Sequence, residues 1–287
     1  MNFLEFIIKT FGPKKIYSNP QTFKKALKNK YKEKKYKLTK LIYKSKVQKE
    51  IINSSDIYHF YNNKNDSIII YLHGGAYVED VGLYHLVFID KLSKETNCDI
   101  YLPIYPLAPN HTYEETYDLL LNLYKKLLIK NKKIIIMGDS AGAGLTLSFT
   151  QYLKKEKIDL PTKLILISPW VDISMSNKEL KKYERLDPML SIYGLVESGK
   201  IWASNLDLKD YKVSPIYGDL KNLPNTLIFT GSKELFYPDI CLLNQKLKEN
   251  NTKSELIVGE NMYHVYPLYP IPKVKPYYKK IVDFIKE

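Results

Sequence analysis

The sequence predicts an α/β fold: a mainly parallel sheet with helices on both faces, capped by an N-terminal arm and an insertion. Three observations carry this reading. From residue 67 onward, short apolar runs alternate with helix-compatible segments, the order a parallel sheet requires. Two of those runs, 67–72 (Ser-Ile-Ile-Ile-Tyr-Leu) and 134–137 (Ile-Ile-Ile-Met), are nearly continuous, as strands buried on both faces are. The second run ends in Gly138-Asp139-Ser140-Ala141-Gly142. A segment compatible with a helix follows from Ala143 to Lys155, with Leu145, Leu147, Phe149 and Leu153 as its apolar positions.

The elements follow in order. The first 50 residues hold 15 lysines and three acids, a net of +12, while the other 237 residues are balanced at +1. The formal +13 therefore belongs to one arm, and a nucleic-acid role for the whole chain is disfavoured. Asn19-Pro20 reads as a helix cap with proline at the first helical position. Phe23, Leu27, Tyr31, Leu38 and Leu41 give the arm an amphipathic pattern, so residues 1–45 are expected to fold onto the body, residues 46–287, as part of a cap. Residues 47–52 and 57–61 read as paired strands around Asn53-Ser54-Ser55, with a turn at 62–66. After the strand at 67–72 come a helix near 83–95, a strand at 99–104, a helix at 112–129, and the strand and helix around Ser140. A strand at 164–168 precedes an irregular block at about 172–220, helical at 178–184 and 191–204, which is the expected cap insertion. Strands at 227–230 and 256–258 flank a helix starting near Pro238, and a final helix covers 276–286.

A strand, a Gly-x-Ser-x-Gly turn and a helix together form the context of a nucleophile elbow, which holds a serine hydroxyl above the sheet. That hydroxyl needs a base, and the base needs an orienting acid. His264, in Met262-Tyr263-His264-Val265, lies between the last strand and the last helix, on the same sheet edge as Ser140. Glu234, in Gly231-Ser232-Lys233-Glu234, sits just beyond a strand end and is the preferred acid. Asp239 is its competitor, although a carboxylate at a helix start is also accounted for by the helix dipole. The order serine, acid, histidine matches that of hydrolases built on alternating strands and helices. His73-Gly74-Gly75-Ala76, directly after a strand, suits an oxyanion loop. Gly74 and Gly75 are the expected donors, joined by the N–H of Ala141 at the start of the helix after Ser140.

His73-Gly74-Gly75-Ala76, Tyr105-Pro106-Leu107-Ala108-Pro109, Gly138-Asp139-Ser140-Ala141-Gly142, Asp187-Pro188-Met189-Leu190, Gly231-Ser232-Lys233-Glu234 and Tyr263-His264 occur in the order and spacing of one known family. From about residue 67 to the end, the chain resembles the hormone-sensitive-lipase-like (bacterial group IV) carboxylesterases. That resemblance implies an α/β-hydrolase fold with a helical cap, no cofactor, and hydrolysis of small carboxylic esters by Ser140, Glu234 and His264. Aspartate is the usual acid of that family where Glu234 stands.

No metal is expected, since His59, His73, His85 and His111 lack ligand spacing. Cys98 and Cys241 read as reduced thiols of a cytoplasmic protein. The leading stretch, residues 1–9, reads as a poor signal peptide. The expected partner is a small ester, without nucleic acid or membrane insertion; a homodimer is left open. Tyr77 and Trp170 are expected to line the substrate site, and with Tyr237 and Tyr266 to restrict it to short acyl chains. The alternative is a non-catalytic module that binds a small ligand on the same fold.

Overall fold

A computed structural model describes residues 13–31, 36–40, 42–61, 67–130 and 132–287. The leading stretch at 1–9, Leu41 and the turn expected at 62–66 lie outside the described residues.

Eight strands form one sheet: β1 (Lys46–Ile52), β2 (Ser55–Tyr61), β3 (Ser67–Leu72), β4 (Asp99–Pro103), β5 (Lys133–Asp139), β6 (Lys163–Ile167), β7 (Asn225–Gly231) and β8 (Ser254–Gly259). Their spatial order is β1-β2-β4-β3-β5-β6-β7-β8. β1 and β2 form an antiparallel hairpin at one edge, and β2 is antiparallel to β4. Every pairing from β4 through β8 is parallel.

Side chains of successive strand residues point to opposite faces, so a strand covered on both sides must be apolar at every position. In β5, Ile134 and Ile136 enter one core while Ile135 and Met137 enter the other. β3 divides in the same way, with Ile68, Ile70 and Leu72 against Ile69 and Tyr71. Helices α3 (Leu83–Thr96) and α9 (Lys275–Lys286) cover the second core; α4 (Tyr113–Leu128), α5 (Ala141–Lys155) and α8 (Tyr237–Glu249) cover the first. Each fully buried aliphatic side chain contributes about 1.5–3 kcal/mol. This sustained double-faced burial is what fixes strand register.

Because β3 is flanked by β4 on one side and β5 on the other, the chain winds away in opposite directions at that point. Crevices at such reversals, outside the carboxyl ends of the strands, are where open α/β sheets bind ligands. The loops that leave β3 and β5 there begin with His73 and Ser140.

The insertion between β6 and β7 contributes α6 (Leu180–Leu186) and α7 (Ile192–Ala203), and the arm contributes α1 (Lys14–Tyr17) and α2 (Pro20–Lys30). Asn19 caps α2 by accepting from the N–H groups of Gln21 and Thr22, with Pro20 at the first helical position. The buried Phe23 packs edge-on against Tyr17 and Tyr193, fastening the arm to α7. Asp187, which follows α6, accepts the N–H groups of Met189 and Leu190 and, at 2.7 Å, that of Leu235 beyond β7. The insertion is thereby tied to the loop that carries Glu234.

Candidate active site

Ser140 caps α5 with φ 53° and ψ −121°, a backbone region that L-residues adopt only when the surroundings impose it. Its N–H donates to the carbonyl of Ile167 in β6, and its own carbonyl accepts the N–H of Trp170. The flanking glycines make the turn passable. A Cβ on Gly138 would sit 2.6 Å from the backbone of both Gly142 and Leu72, far inside contact distance.

His264, on the loop after β8, reaches back across the sheet edge, and its Nε2 lies 2.9 Å from Ser140 Oγ. Both side chains are almost wholly buried. Behind the imidazole, Glu234 Oε2 stands 3.9 Å from Nδ1, inside ion-pair range but beyond a hydrogen bond. Oε2 accepts the Ser168 hydroxyl at 2.6 Å and the Gly231 N–H at 3.0 Å. Neither Glu234 Oε1 nor His264 Nδ1 has a hydrogen-bond partner among the described residues. Relay hydrogen bonds are often long in the unliganded state and tighten as substrate binds.

Asp239 forms no ion pair with His264. Its carboxylate accepts from Asn177 Nδ2 at 2.7 Å, and burial pushes it up to about 6. Asp187, in contrast, interacts electrostatically with His264; burial raises its carboxyl above the ordinary range despite that interaction and three backbone donors. The imidazole thus faces two buried acids, Glu234 nearest.

The oxyanion loop departs from the expectation at Gly74. Its N–H donates to Asp139 Oδ1 at 3.1 Å, so it is directed at the carboxylate next to Ser140. Gly75 and Ala76 follow, with φ of 125° and 53°, and their N–H groups have no acceptor among the described residues. The N–H of Ala141, first in α5, has no intrahelical acceptor either. The N–H groups left without an acceptor beside Ser140 are therefore those of Gly75, Ala76 and Ala141, while that of Gly74 ties the loop to Asp139.

Asp139 collects three donors: Tyr71 Oη at 2.8 Å, the Gly74 N–H, and His85 Nε2 at 3.1 Å. His85 Nδ1 accepts the Gly82 N–H at 2.9 Å, so the ring carries its proton on Nε2. Burial would raise Asp139; the hydrogen bonds and the pull of His85 outweigh it and hold the carboxyl below its ordinary value. His73, first in the loop, stacks on Tyr105 and is wholly buried. Burial, followed by the nearby His85, lowers it to about 4, so it is neutral at pH 7.

A cavity of about 280 Å³ opens onto Ser140 and His264. Its walls include Tyr17, Tyr84, Met189, Leu190, Leu195 and Val265, so arm, insertion and base loop all contribute. Tyr77 and Trp170 do not. The positive φ at Ala76 and Tyr77 turns the tyrosine ring back into the core. There Tyr77 stacks with Trp202 (centroids 4.3 Å apart) and with Trp170 (5.7 Å), and its hydroxyl donates to the Ala141 carbonyl. Trp170 in turn stacks on Phe236, whose ring meets His264 edge-on at 5.3 Å. These residues support the loops from behind. Tyr237 and Tyr266 are also absent from the cavity wall.

Sequence reasoning missed Ser168 and the cavity-lining Tyr17, Glu79, Tyr84 and Leu195. Ser168 had one available signal: it follows a strand on the same sheet edge as Ser140. Glu79, five residues beyond Gly74, accepts from Tyr17 and Lys30, latching arm to oxyanion loop.

With this geometry in place, similarity to known proteins can be given. Residues 69–268 match a family described as having the alpha/beta hydrolase fold. An esterase of Acinetobacter venetianus is 32% identical over 223 residues, covering 76% of this chain and 74% of that protein. An acetyl-hydrolase of Streptomyces hygroscopicus is 26% identical over 204 residues, covering 70% and 68%. Among solved structures, a Staphylococcus aureus protein crystallised as a candidate esterase superposes with a TM-score of 0.90 at 30% identity, over 95% of both chains. EstE5, solved after soaking with p-nitrophenyl butyrate, gives 0.84 at 26% identity, over 99% of this chain and 96% of EstE5.

Proposed function

The chain belongs to the α/β-hydrolase family, as a carboxylic ester hydrolase of the hormone-sensitive-lipase-like type, and we propose that it acts as a serine esterase on short-acyl esters through Ser140, His264 and Glu234. The observation that carries the proposal is the 2.9 Å contact between Ser140 Oγ and His264 Nε2 on the floor of the apolar cavity.

Ser140 Oγ attacks the ester carbonyl as His264 Nε2 takes its proton. The oxyanion forms against the N–H groups of Gly75, Ala76 and Ala141, which are fixed before the charge appears and so need no reorganisation. Collapse expels the alcohol with the proton returned from Nε2, leaving an acyl-serine. Water then attacks the acyl carbonyl while giving a proton to the same nitrogen; the bond to Oγ breaks, Nε2 returns that proton to Ser140 Oγ, and the acid leaves. Glu234 faces Nδ1, favouring the tautomer whose Nε2 is free to accept and stabilising the imidazolium when it forms.

Size argues for short chains. A cavity of about 280 Å³ lies at the small end of small-molecule sites, which span roughly 300–1,000 Å³. The acetyl-hydrolase relative and the soaked EstE5 point to the same substrate class. The test is hydrolysis of p-nitrophenyl acetate, butyrate, octanoate and laurate by wild type and Ser140→Ala, with a serine-reactive phosphonate as label. Rates should peak at acetate or butyrate, and Ser140→Ala should lose at least about a thousandfold. Full activity in Ser140→Ala, or labelling elsewhere, would refute the assignment and favour a ligand-binding module.

A further inference from the structure

Ser168 lies just past the carboxyl end of β6, between the strand that leads to Ser140 and the strand that leads to Glu234. No step of the reaction above uses it. It is wholly buried, and its φ of 49° places an L-residue in the left-handed region.

Its hydroxyl bridges two loops. The Val265 N–H donates to Oγ at 3.0 Å, and the hydroxyl proton goes to Glu234 Oε2 at 2.6 Å. The direction is forced, since an amide N–H cannot accept and the single hydroxyl proton is left for the carboxylate. A separation of 2.6 Å is that of a hydroxyl bound to a charged oxygen. Val265 is the chain neighbour of His264, so one oxygen atom fixes the acid directly and the base through its backbone.

We infer that Ser168 is the positioning residue of the Glu234–His264 pair, setting their separation and with it the imidazole tautomer. The inference rests on the triad reading above. Without the hydroxyl, Oε2 keeps only the Gly231 N–H, and the Val265 N–H loses its acceptor. Both loops gain freedom where alignment decides whether Nε2 can take the proton. Ser168 does not line the cavity, so substrate binding is untouched.

The test is Ser168→Ala and Ser168→Gly in the full chain, assayed with p-nitrophenyl butyrate across the pH range and melted in parallel, with Ser140→Ala as reference. Both variants should lose about ten- to a hundredfold in kcat, the scale of a lost hydrogen bond to a charged group, with KM nearly unchanged. Glycine carries no strain at positive φ, so Ser168→Gly decides the matter should Ser168→Ala fail to fold. Recovery of rate in Ser168→Gly alone would make the backbone, not the hydroxyl, responsible and overturn the inference. A lowered melting temperature with kcat unchanged, or a loss that falls on KM rather than kcat, would also overturn it. Wild-type kinetics in both variants beside an inactive Ser140→Ala would remove this inference alone; an active Ser140→Ala would remove the triad and this inference together.

Discussion

Replacing Asp139 by asparagine tests the anchoring of the oxyanion loop. Oδ1 accepts Tyr71 and Gly74 while Oδ2 accepts His85. An amide keeps one acceptor oxygen, and its NH₂ then points at a donor. If it takes the Oδ2 place, it meets the Nε2–H of a histidine whose other nitrogen already accepts from Gly82. In the other orientation it confronts the Tyr71 and Gly74 donors. At least one buried donor is left unsatisfied either way, at about 1–3 kcal/mol. For 287 residues at about 2.1 cal/mol/K per residue, that corresponds to a melting-temperature drop of about 2–5 °C. The Gly74 N–H also loses its charged acceptor, so Gly75 and Ala76 are held less firmly. The expected loss in kcat/KM is about ten- to a hundredfold, below the cost of deleting an oxyanion donor outright. The assays are a circular-dichroism melt and p-nitrophenyl butyrate kinetics. A melt within about 1 °C of wild type, with kcat/KM within about twofold, would refute the anchoring argument, since its energetic floor lies above both.

Three further expectations follow from the same geometry. His73 is lowered from 6.5 to about 4 by burial and then by His85, so the unfolded chain binds the proton first; stability should be full above about pH 6.5 and decline towards pH 4 by about 3 kcal/mol, a slope that urea midpoints would register and His73→Asn should flatten. Glu234→Gln should cut kcat by orders of magnitude, whereas Asp239→Asn, at a carboxyl that burial already favours in its neutral form, should stay within a few-fold; the reverse ranking would transfer the acid role to Asp239. In Gly194→Val, a Cβ would lie 2.5 Å from the Tyr17 carbonyl and drive α1 off the cavity; relative rates on octanoate against butyrate should rise several-fold, and an unchanged chain-length profile would show that α1 does not limit the site.

What was legible in the sequence was local. The elbow strand, its turn and its helix are contiguous, so Ser140 could be placed from the spacing of glycines and apolar residues alone. His264 and Glu234 needed only the alternation of elements, which puts every strand's carboxyl end on one edge. Gly74 was misjudged because an N–H's direction depends on its acceptor, and Asp139 lies 65 residues away. Tyr77 and Trp170 were misjudged because a sequence shows that aromatics flank a motif but not which way they turn; two consecutive residues of positive φ decide that. Ser168 showed only its place at a strand end; its role was not legible because its partners lie 66 and 97 residues away. The cavity walls drawn from arm and insertion depend on packing between segments with no shared pattern.

The aromatic column behind the oxyanion loop has an optical consequence. The chain has two tryptophans, and both stack with Tyr77 in it. Neither indole is more than 1% exposed. All tryptophan emission from this protein therefore originates around Tyr77, next to the loop that follows β3, with no surface indole to dilute it. A displacement of that loop, whether by an acyl group on Ser140 or by partial unfolding of the cap, changes the stacking of the emitting rings themselves. The unlabelled enzyme thus carries its own light source at the place where its chemistry happens, and stopped-flow fluorescence can follow that place in real time.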